Sequence, residues 1–456
     1  MRIRFLLPLS AALLVASAGC DSVLETEPTT SLSATQMIVD GPTARAALNG
    51  AYSALQSTSY YGLDLLMLGD LPADNAIWTG TFQFLSEVAS NRIQADNTEV
   101  TALWTQIYRQ IDRDNVIIDK VPGLSGVPDS LKNDVIGQAY LLRAVSYHNL
   151  VKLWGAVPMP IVSAASPTDA ESYSRTAVND VYTQILSDID KAQSMITNTT
   201  NTRNATPLAA RALRSRVLFY RAGLTGNANS TADYQRALDE ANAVFAAKSE
   251  ALTVAYADLF TATGTSTAED IWRIAYTATE SNSLGNYYLQ AGRAEIAPST
   301  SLDAAYPAGD LRKAYSIGPS GNANRPLNGN KFRARPGTEH VHVIRLAELI
   351  LIKAEILARQ SKLAEAVNEY NIVRTRAGLA RHTLGTQVTT QAEVLAAIDL
   401  ERRLELAMEG DRWPDLIRQG RAVAVKNFAD RPGQALFPIP LRDIRTSSKL
   451  TQNPGY

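Results

Sequence analysis

The chain has 456 residues, 44 basic and 45 acidic side chains for a net charge of −1, and one cysteine. That balance leaves no broad basic footprint for nucleic acid, and a lone thiol excludes an internal disulfide. The length allows a large core and more than one subdomain.

The N-terminus reads as an export signal. Arg2 and Arg4 precede an apolar run over 5–18, interrupted by Pro8 and Ser10, and Ser17-Ala-Gly-Cys20 closes it. The run is too short and wrongly flanked to span a membrane. The small residues before Cys20 suit a peptidase, and the site resembles the lipobox of bacterial lipoproteins, with Ser17 where leucine is usual. We expect residues 1–19 to be a signal peptide. Cys20 would then carry a thioether lipid, and 20–40 would be the lipidated N-terminus and tether. Each buried methylene of an acyl chain adds about 0.8 kcal/mol of membrane affinity. Losing Arg2 and Arg4, with no acid, moves the charge from −1 to −3. No later stretch is apolar for the roughly 18 residues a spanning helix needs.

Helical spacing dominates the body of the chain. Gly41-Pro42 opens a helix over 43–57. Over 101–121, Leu103, Ile107, Ile111 and Ile117 fall close to one face. A helix over 131–153 stops at Gly155, and Pro158 and Pro160 forbid its continuation. Further helices are expected over 176–195, from Thr206-Pro207 to Ala222, and over 231–247, 343–359, 362–377 and 391–410. Several pair as antiparallel hairpins, notably 208–222 with 232–247 and 343–359 with 362–376. Their scale is that of tetratricopeptide repeats, about 34 residues each. The expected fold is all-α, a tetratricopeptide-like helical-pair scaffold carrying loop-rich and short-strand inserts. Those inserts are 62–97 and 261–337. The second is too long to lack structure, and 271–276 alternates as a strand. Specificity belongs on such inserts.

No catalytic or metal motif appears. There is no HExxH, CxxC, phosphate-cradling glycine loop or nucleophile elbow, and Gly223 to Gly226 lacks a lysine. His148, His340, His342 and His382 are too sparse for a metal site, and His340 and His342 would face opposite sides of a strand. Neither metal nor cofactor is expected. Over 391–410, Val394, Ile398, Leu404 and Met408 form an apolar face that also carries Glu401. A carboxylate there needs a partner. Glu401, Glu405, Glu409, Arg412 and Trp413 therefore read as core and clasp residues, with Arg402 and Arg403 as further donors. A paired-carboxylate hydrolase is the rival, but these acids share one helix, whereas glycosidase carboxylates flank the substrate.

Three C-terminal segments carry a family resemblance. The first runs Arg345-x-Ala-Glu-x-x-Leu-x-x-Ala-Glu355 and closes with Asn371-x-x-Arg-x-Arg-Ala-Gly378. The second is Glu401-Arg-Arg-x-Glu-Leu-x-x-Glu-Gly-x-Arg-Trp-x-Asp-Leu416. The third joins Pro438-Ile-Pro440 to the final Gln452-Asn-Pro-Gly-Tyr456. Leu142-Arg-Ala and Leu153-Trp-Gly-Ala-Val-Pro158 add an N-terminal match. Together they resemble the SusD/RagB family of outer-membrane nutrient-binding lipoproteins, across most of the mature chain but fading in the two inserts.

The resemblance implies a lipid-anchored lid on the outer face of the outer membrane, over a SusC-like TonB-dependent transporter. Such lids capture oligosaccharides, glycans or peptides and pass them on; they are not enzymes. It places 41–260 and 338–456 as SusD-like helical regions and 261–337 as the ligand-binding insert. Aromatics of the two inserts line the glycan site of such proteins. A sugar offers an apolar face to rings and a hydroxyl rim to polar groups. The candidates are Asp74, Asn75, Trp78 and Phe82 in the first insert, and Tyr287, Tyr288 and Arg293, beside Gln290, in the second. Tyr60 and Tyr61 are weaker ones. For Trp78 and Tyr288 a place in the core is the competing reading. Peptide cargo and a surface glycoside hydrolase remain the functional alternatives.

Overall fold

A computed structural model describes residues 37–164, 172–224, 226–261 and 266–456. The expected signal, Cys20 and most of the tether lie outside the described residues.

Long helices carry the architecture. They are α1 (Gly41–Leu55), α2 (Thr98–Lys120), α3 (Asp129–Trp154), α4 (Val178–Met195), α5 (Pro207–Ala222), α6 (Ser230–Lys248), α7 (Leu346–Arg359), α8 (Leu363–Arg376) and α9 (Gln391–Glu405). Their starts are written in side chains. Asp40 and Thr43 exchange bonds as a capping box on α1, and Thr390 and Glu393 do so on α9. Asn97 accepts from two amides of α2, and Thr206 caps α5 ahead of Pro207. Each such cap contributes about 1 kcal/mol. Gly155, at φ 72°, ends α3.

Each long helix packs on the next along the chain, from α1 on α2 to α8 on α9. The α6–α7 contact closes although 249–345 intervene, so the long insert is looped out of a continuous tetratricopeptide-like solenoid. Small residues let the hairpins approach. Ala209, Ala212, Ala237 and Ala241 are all buried between α5 and α6, where the Ser215 hydroxyl reaches the Ala237 carbonyl at 2.8 Å. Helix α3 runs through the core, its residues buried almost without a break from Val135 to Trp154.

The chain end locks that core. The Trp154 indole donates to the Pro438 carbonyl at 2.9 Å. Asn453 Nδ2 donates to the carbonyls of Trp154 and Phe437 at 2.9 and 2.7 Å, Gln452 exchanges bonds with the backbone of Ile439, and the Tyr456 hydroxyl donates to Leu436.

Short antiparallel ladders organise the inserts. β1 (Ala76–Trp78) pairs with β3 (Ile296–Pro298), β2 (Asp270–Ile274) with β6 (Val341–Arg345), and β4 (Ile317–Asn322) with β5 (Arg325–Gly329). The strand expected over 271–276 is β2, buried at every position rather than alternating. The first insert is less loop-like than its composition suggests. Its helix Asp64–Asp70 is buried end to end. Tyr60 and Tyr61 are buried too, and Asn149 Nδ2 donates to their hydroxyls at 2.9 and 3.1 Å, so they are not ligand groups.

The helix expected to reach Gly410 ends at Glu405. Met408 (φ 63°) and Gly410 (φ 81°) then reverse the chain before a short helix Arg412–Arg418. This turn and the end of α9 hold a buried ionic cluster. Glu405 receives Arg345 at 2.5 Å, Arg312 at 3.3 Å and Arg376. Glu409 takes Arg345 and Lys331, each at 2.8 Å. Glu401 takes Arg312 at 3.0 Å and also Arg374. Farther along, Asp415 pairs with Arg402 and Arg418, and Arg418 with Glu355. The expected clasp residues are thus inside the protein, their carboxylates occupied by cations rather than facing a cleft. Burial opposes the ionisation of Glu409, but Arg345 and Lys331 outweigh it and hold its carboxyl down at about 2. Arg402 and Arg418 do the same for Asp415, also at about 2.

Across this turn two backbones touch. A Cβ on Gly69 would lie 2.0 Å from the Gly410 carbonyl oxygen. The neighbouring Asp70 carboxylate accepts the Gly410 amide and the Asn75 side chain, each at 3.0 Å. Burial nonetheless pushes Asp70 up to about 7.

Gly69→Ala is expected to destabilise the protein by at least about 2 kcal/mol, since backbone rather than a flexible side chain must move. Urea denaturation measures it. The pH profile comes from the shifted carboxylates. Glu409 and Asp415, depressed from 4.5 and 3.8, contribute fully above those values and lose it as pH falls toward 2. Asp70, raised from 3.8, contributes below that value and loses it as pH rises through about 7. Scanning calorimetry should show Tm climbing steeply from pH about 2 to 5 and declining gently toward 8.

Candidate functional site

The β1–β3 ladder brings the two inserts together. Ala76, Ile77 and Trp78 pair with Pro298, Ala297 and Ile296. The pairing extends on both sides. Ser299 donates its amide to Asn75 and its hydroxyl to the Asp74 carbonyl, at 2.9 and 2.6 Å. Thr79 donates its amide to the Glu295 carbonyl at 2.9 Å and its hydroxyl to that of Ala294 at 3.0 Å. Residues more than 200 positions apart in sequence thereby form one surface.

Four of the seven candidates meet on it. The Arg293 guanidinium lies 5.5 Å from the ring centroids of both Phe82 and Tyr287. Cation–π contacts of this kind contribute roughly 0.5–1 kcal/mol at exposed sites. Phe82 and Tyr287 are half-buried, and the Arg293 side chain is 47% exposed. Phe84 meets Phe82 edge-on at 5.8 Å. Trp78 is half-buried on β1, and its indole Nε1 has no hydrogen-bond partner among the described residues. Ile77 beside it is 45% exposed. Burial raises the Tyr287 hydroxyl pKa, and Arg293 partly offsets that. The nearby Glu99 is also raised by burial.

The other three candidates serve the fold. Asp74 accepts from Arg412 at 2.7 Å and pairs with Arg403 at 3.4 Å. Burial works against its charge, and the two arginines still hold it below the usual carboxylate range. Asn75 is 1% exposed, donates to Asp70 and accepts from Arg403 at 3.0 Å. Tyr288 is 1% exposed and packs against Gly329. Polar groups that suited a sugar rim are instead joints between the first insert and the turn after α9.

Sequence reasoning missed Glu295, which accepts the amides of Thr81 and Phe82. The signal available was Thr79-Gly-Thr81, a glycine where another chain comes close. A separate cavity of about 1290 Å³ lies among α1, α2, residues 158–164 and the helix Leu441–Thr446, and none of the seven candidates lines it. Among the described residues no group of three His, Cys, Asp or Glu is placed to hold a metal ion, and no helix is long and apolar enough to cross a membrane.

A helical-hairpin solenoid whose inserts present half-buried rings around an exposed arginine has the layout of a binding scaffold. Comparisons with known proteins specify which one. Residues 33–219 match a family described as "Starch-binding associating with outer membrane", and 327–435 match the SusD family. SusD-like protein P2 of Formosa agariphila is 29% identical, covering 97% of this chain and 98% of its own length. A SusD superfamily protein from Bacteroides vulgatus has the same fold, with a TM-score of 0.81 at 20% identity over 91% of this chain and 99% of its own. A laminarin-binding SusD-like protein follows with a TM-score of 0.78 at 23% identity, covering 92% and 100%. The chain belongs to the SusD/RagB family.

The two groups of candidates should separate on substitution. Asp74→Ala leaves Arg412 and Arg403 short of a partner and should cost about 3 kcal/mol or more. Phe82→Ala, at the surface, should cost about 1 kcal/mol or less. Denaturation midpoints compare them.

Proposed function

We propose that this protein is a glycan-binding lipoprotein of the cell surface. It captures oligosaccharide at the β1–β3 surface and hands it to a SusC-like TonB-dependent transporter in the outer membrane. The observation that carries the reading is the trio Phe82–Arg293–Tyr287. Two half-buried rings offer faces for the apolar side of a pyranose, and the guanidinium between them has donors to spare for hydroxyls. The family description and the laminarin-binding relative support a carbohydrate as the class of ligand. Trp78 extends the platform along β1. In this reading 261–337 is the ligand-binding insert, the helical regions on either side are scaffold, and Cys20 carries the lipid.

Binding is tested with a glycan array followed by calorimetry on the best binder. Phe82→Ala and Tyr287→Ala should each weaken affinity about tenfold, the equivalent of about 1.4 kcal/mol. An array that is silent while peptides bind would replace glycan with peptide as cargo. The anchor is tested by Cys20→Ala, which should move the protein from the membrane fraction to the soluble one. Retention of that variant in the membrane would overturn lipidation at Cys20. Co-purification of a TonB-dependent transporter with the wild-type protein tests the partnership.

A further inference from the structure

One buried side chain touches two parts of the Phe82–Arg293–Tyr287 trio. Glu295 is 2% exposed, and it reaches both the loop that carries Phe82 and the arginine. Its Oε2 accepts the amides of Thr81 and Phe82, both at 3.0 Å. Its Oε1 lies 3.3 Å from Arg293 Nη2. Its backbone carbonyl continues the β1–β3 ladder by accepting the Thr79 amide. One carboxylate from the second insert therefore fixes both the chain that carries Phe82 and the cation that stands over it.

The surroundings are shaped for this contact. A Cβ on Gly80 would lie 1.9 Å from Glu295 Oε2 and 2.8 Å from its Cα, so a glycine is required where the carboxylate passes. Ala294 sits at φ 56°, a left-handed conformation that residues with a Cβ rarely adopt. That turn lies between Arg293, 47% exposed at the side chain, and Glu295, 3% exposed. It sends one of two near neighbours into solvent and the other inside. The amides of Thr81 and Phe82 both end on the inner one, so this carboxylate ties the far end of their loop to the second insert, beyond the bonds that Thr79 makes to Ala294 and Glu295.

We propose that Glu295 is the positioning residue of the ligand surface: its carboxylate joins the loop 79–82 to the second insert and sets Phe82 and Arg293 in register with Tyr287. It touches no ligand itself. Binding by a surface ordered in advance avoids the entropy of ordering it on contact, so loss of Glu295 lowers affinity through Phe82 and Arg293. The affinity consequence rests on the glycan-binding reading above, while the positioning itself does not.

The experiment measures residue-level amide exchange in the full chain, together with calorimetric titration of laminarihexaose and maltoheptaose. Glu295→Ala should accelerate exchange at Thr81 and Phe82 by about tenfold or more, because two bonds to a charged acceptor are lost. Buried amides of α3 and α5 should keep their wild-type rates. Glu295→Gln, which keeps an acceptor oxygen, should restore part of the protection. Affinity for whichever probe the wild type binds should fall about tenfold in Glu295→Ala. Wild-type exchange at Thr81 and Phe82 in that variant would overturn the proposal. So would acceleration spread equally through α3 and α5, which marks general destabilisation. If the wild type binds neither probe, the glycan reading suffers, and the exchange result still decides the role of Glu295.

Discussion

Glu405 is the point on which the architecture turns. Its carboxylate is fully buried and receives arginines from three places. Arg376 comes from α8, Arg345 from the β6–α7 junction and Arg312 from the long insert. Taking one carboxylate and three guanidinium groups out of water is costly unless they satisfy one another. The surrounding pairs do that. Asp310 and Glu401 share Arg312, Glu409 shares Arg345, and Glu269 shares Arg376. The cost of leaving any member alone makes the cluster cooperative. The solenoid and the insert cannot separate without exposing several unpaired charges to a dry interior.

The first insert is tied to the same region by different means. Arg403 and Arg412 reach Asp74, Arg403 also reaches Asn75, and the Gly69 backbone lies against Gly410. Both inserts are therefore rooted at the end of α9 and the turn beyond it. At their outer ends they meet again in the β1–β3 ladder. The two sets of contacts adjoin, since Ser299 also bonds Asp74 and Asn75, and together they pin irregular chain at several points.

Much of the scaffold was legible in the sequence because it rests on local rules. Apolar spacing and start signals such as Gly41-Pro42 and Thr206-Pro207 mark the helices within a few residues. The clasp role of Glu401, Glu405 and Glu409 came from carboxylates on an apolar face. The end of α9 was not legible, because Leu404 and Met408 keep helical spacing past Glu405 and Met408 adopts a positive φ without glycine to announce it. At the candidate site, Trp78, Phe82, Tyr287 and Arg293 were chosen by residue type, and the structure places them on one surface. Asp74 and Asn75 were misread because their partners, Arg403 and Arg412, lie over 300 residues away. Tyr288 was misread because adjacent residues of the short helix Leu284–Tyr288 point about 100° apart, so one tyrosine faces out and the next faces in. Pairing across the inserts is a long-range event that no local pattern records.

The β1–β3 ladder is made of backbone bonds, and such bonds are indifferent to which side chains ride on them. Ile77, Trp78 and their neighbours could be exchanged over generations while the strands stay paired. The ionic roots, by contrast, tolerate little change, since each charge there answers another. The molecule is in this sense divided into a part whose charges constrain one another and a part whose side chains do not enter the pairing. Side chains of the outer surface can thus change without disturbing the ionic contacts beneath it.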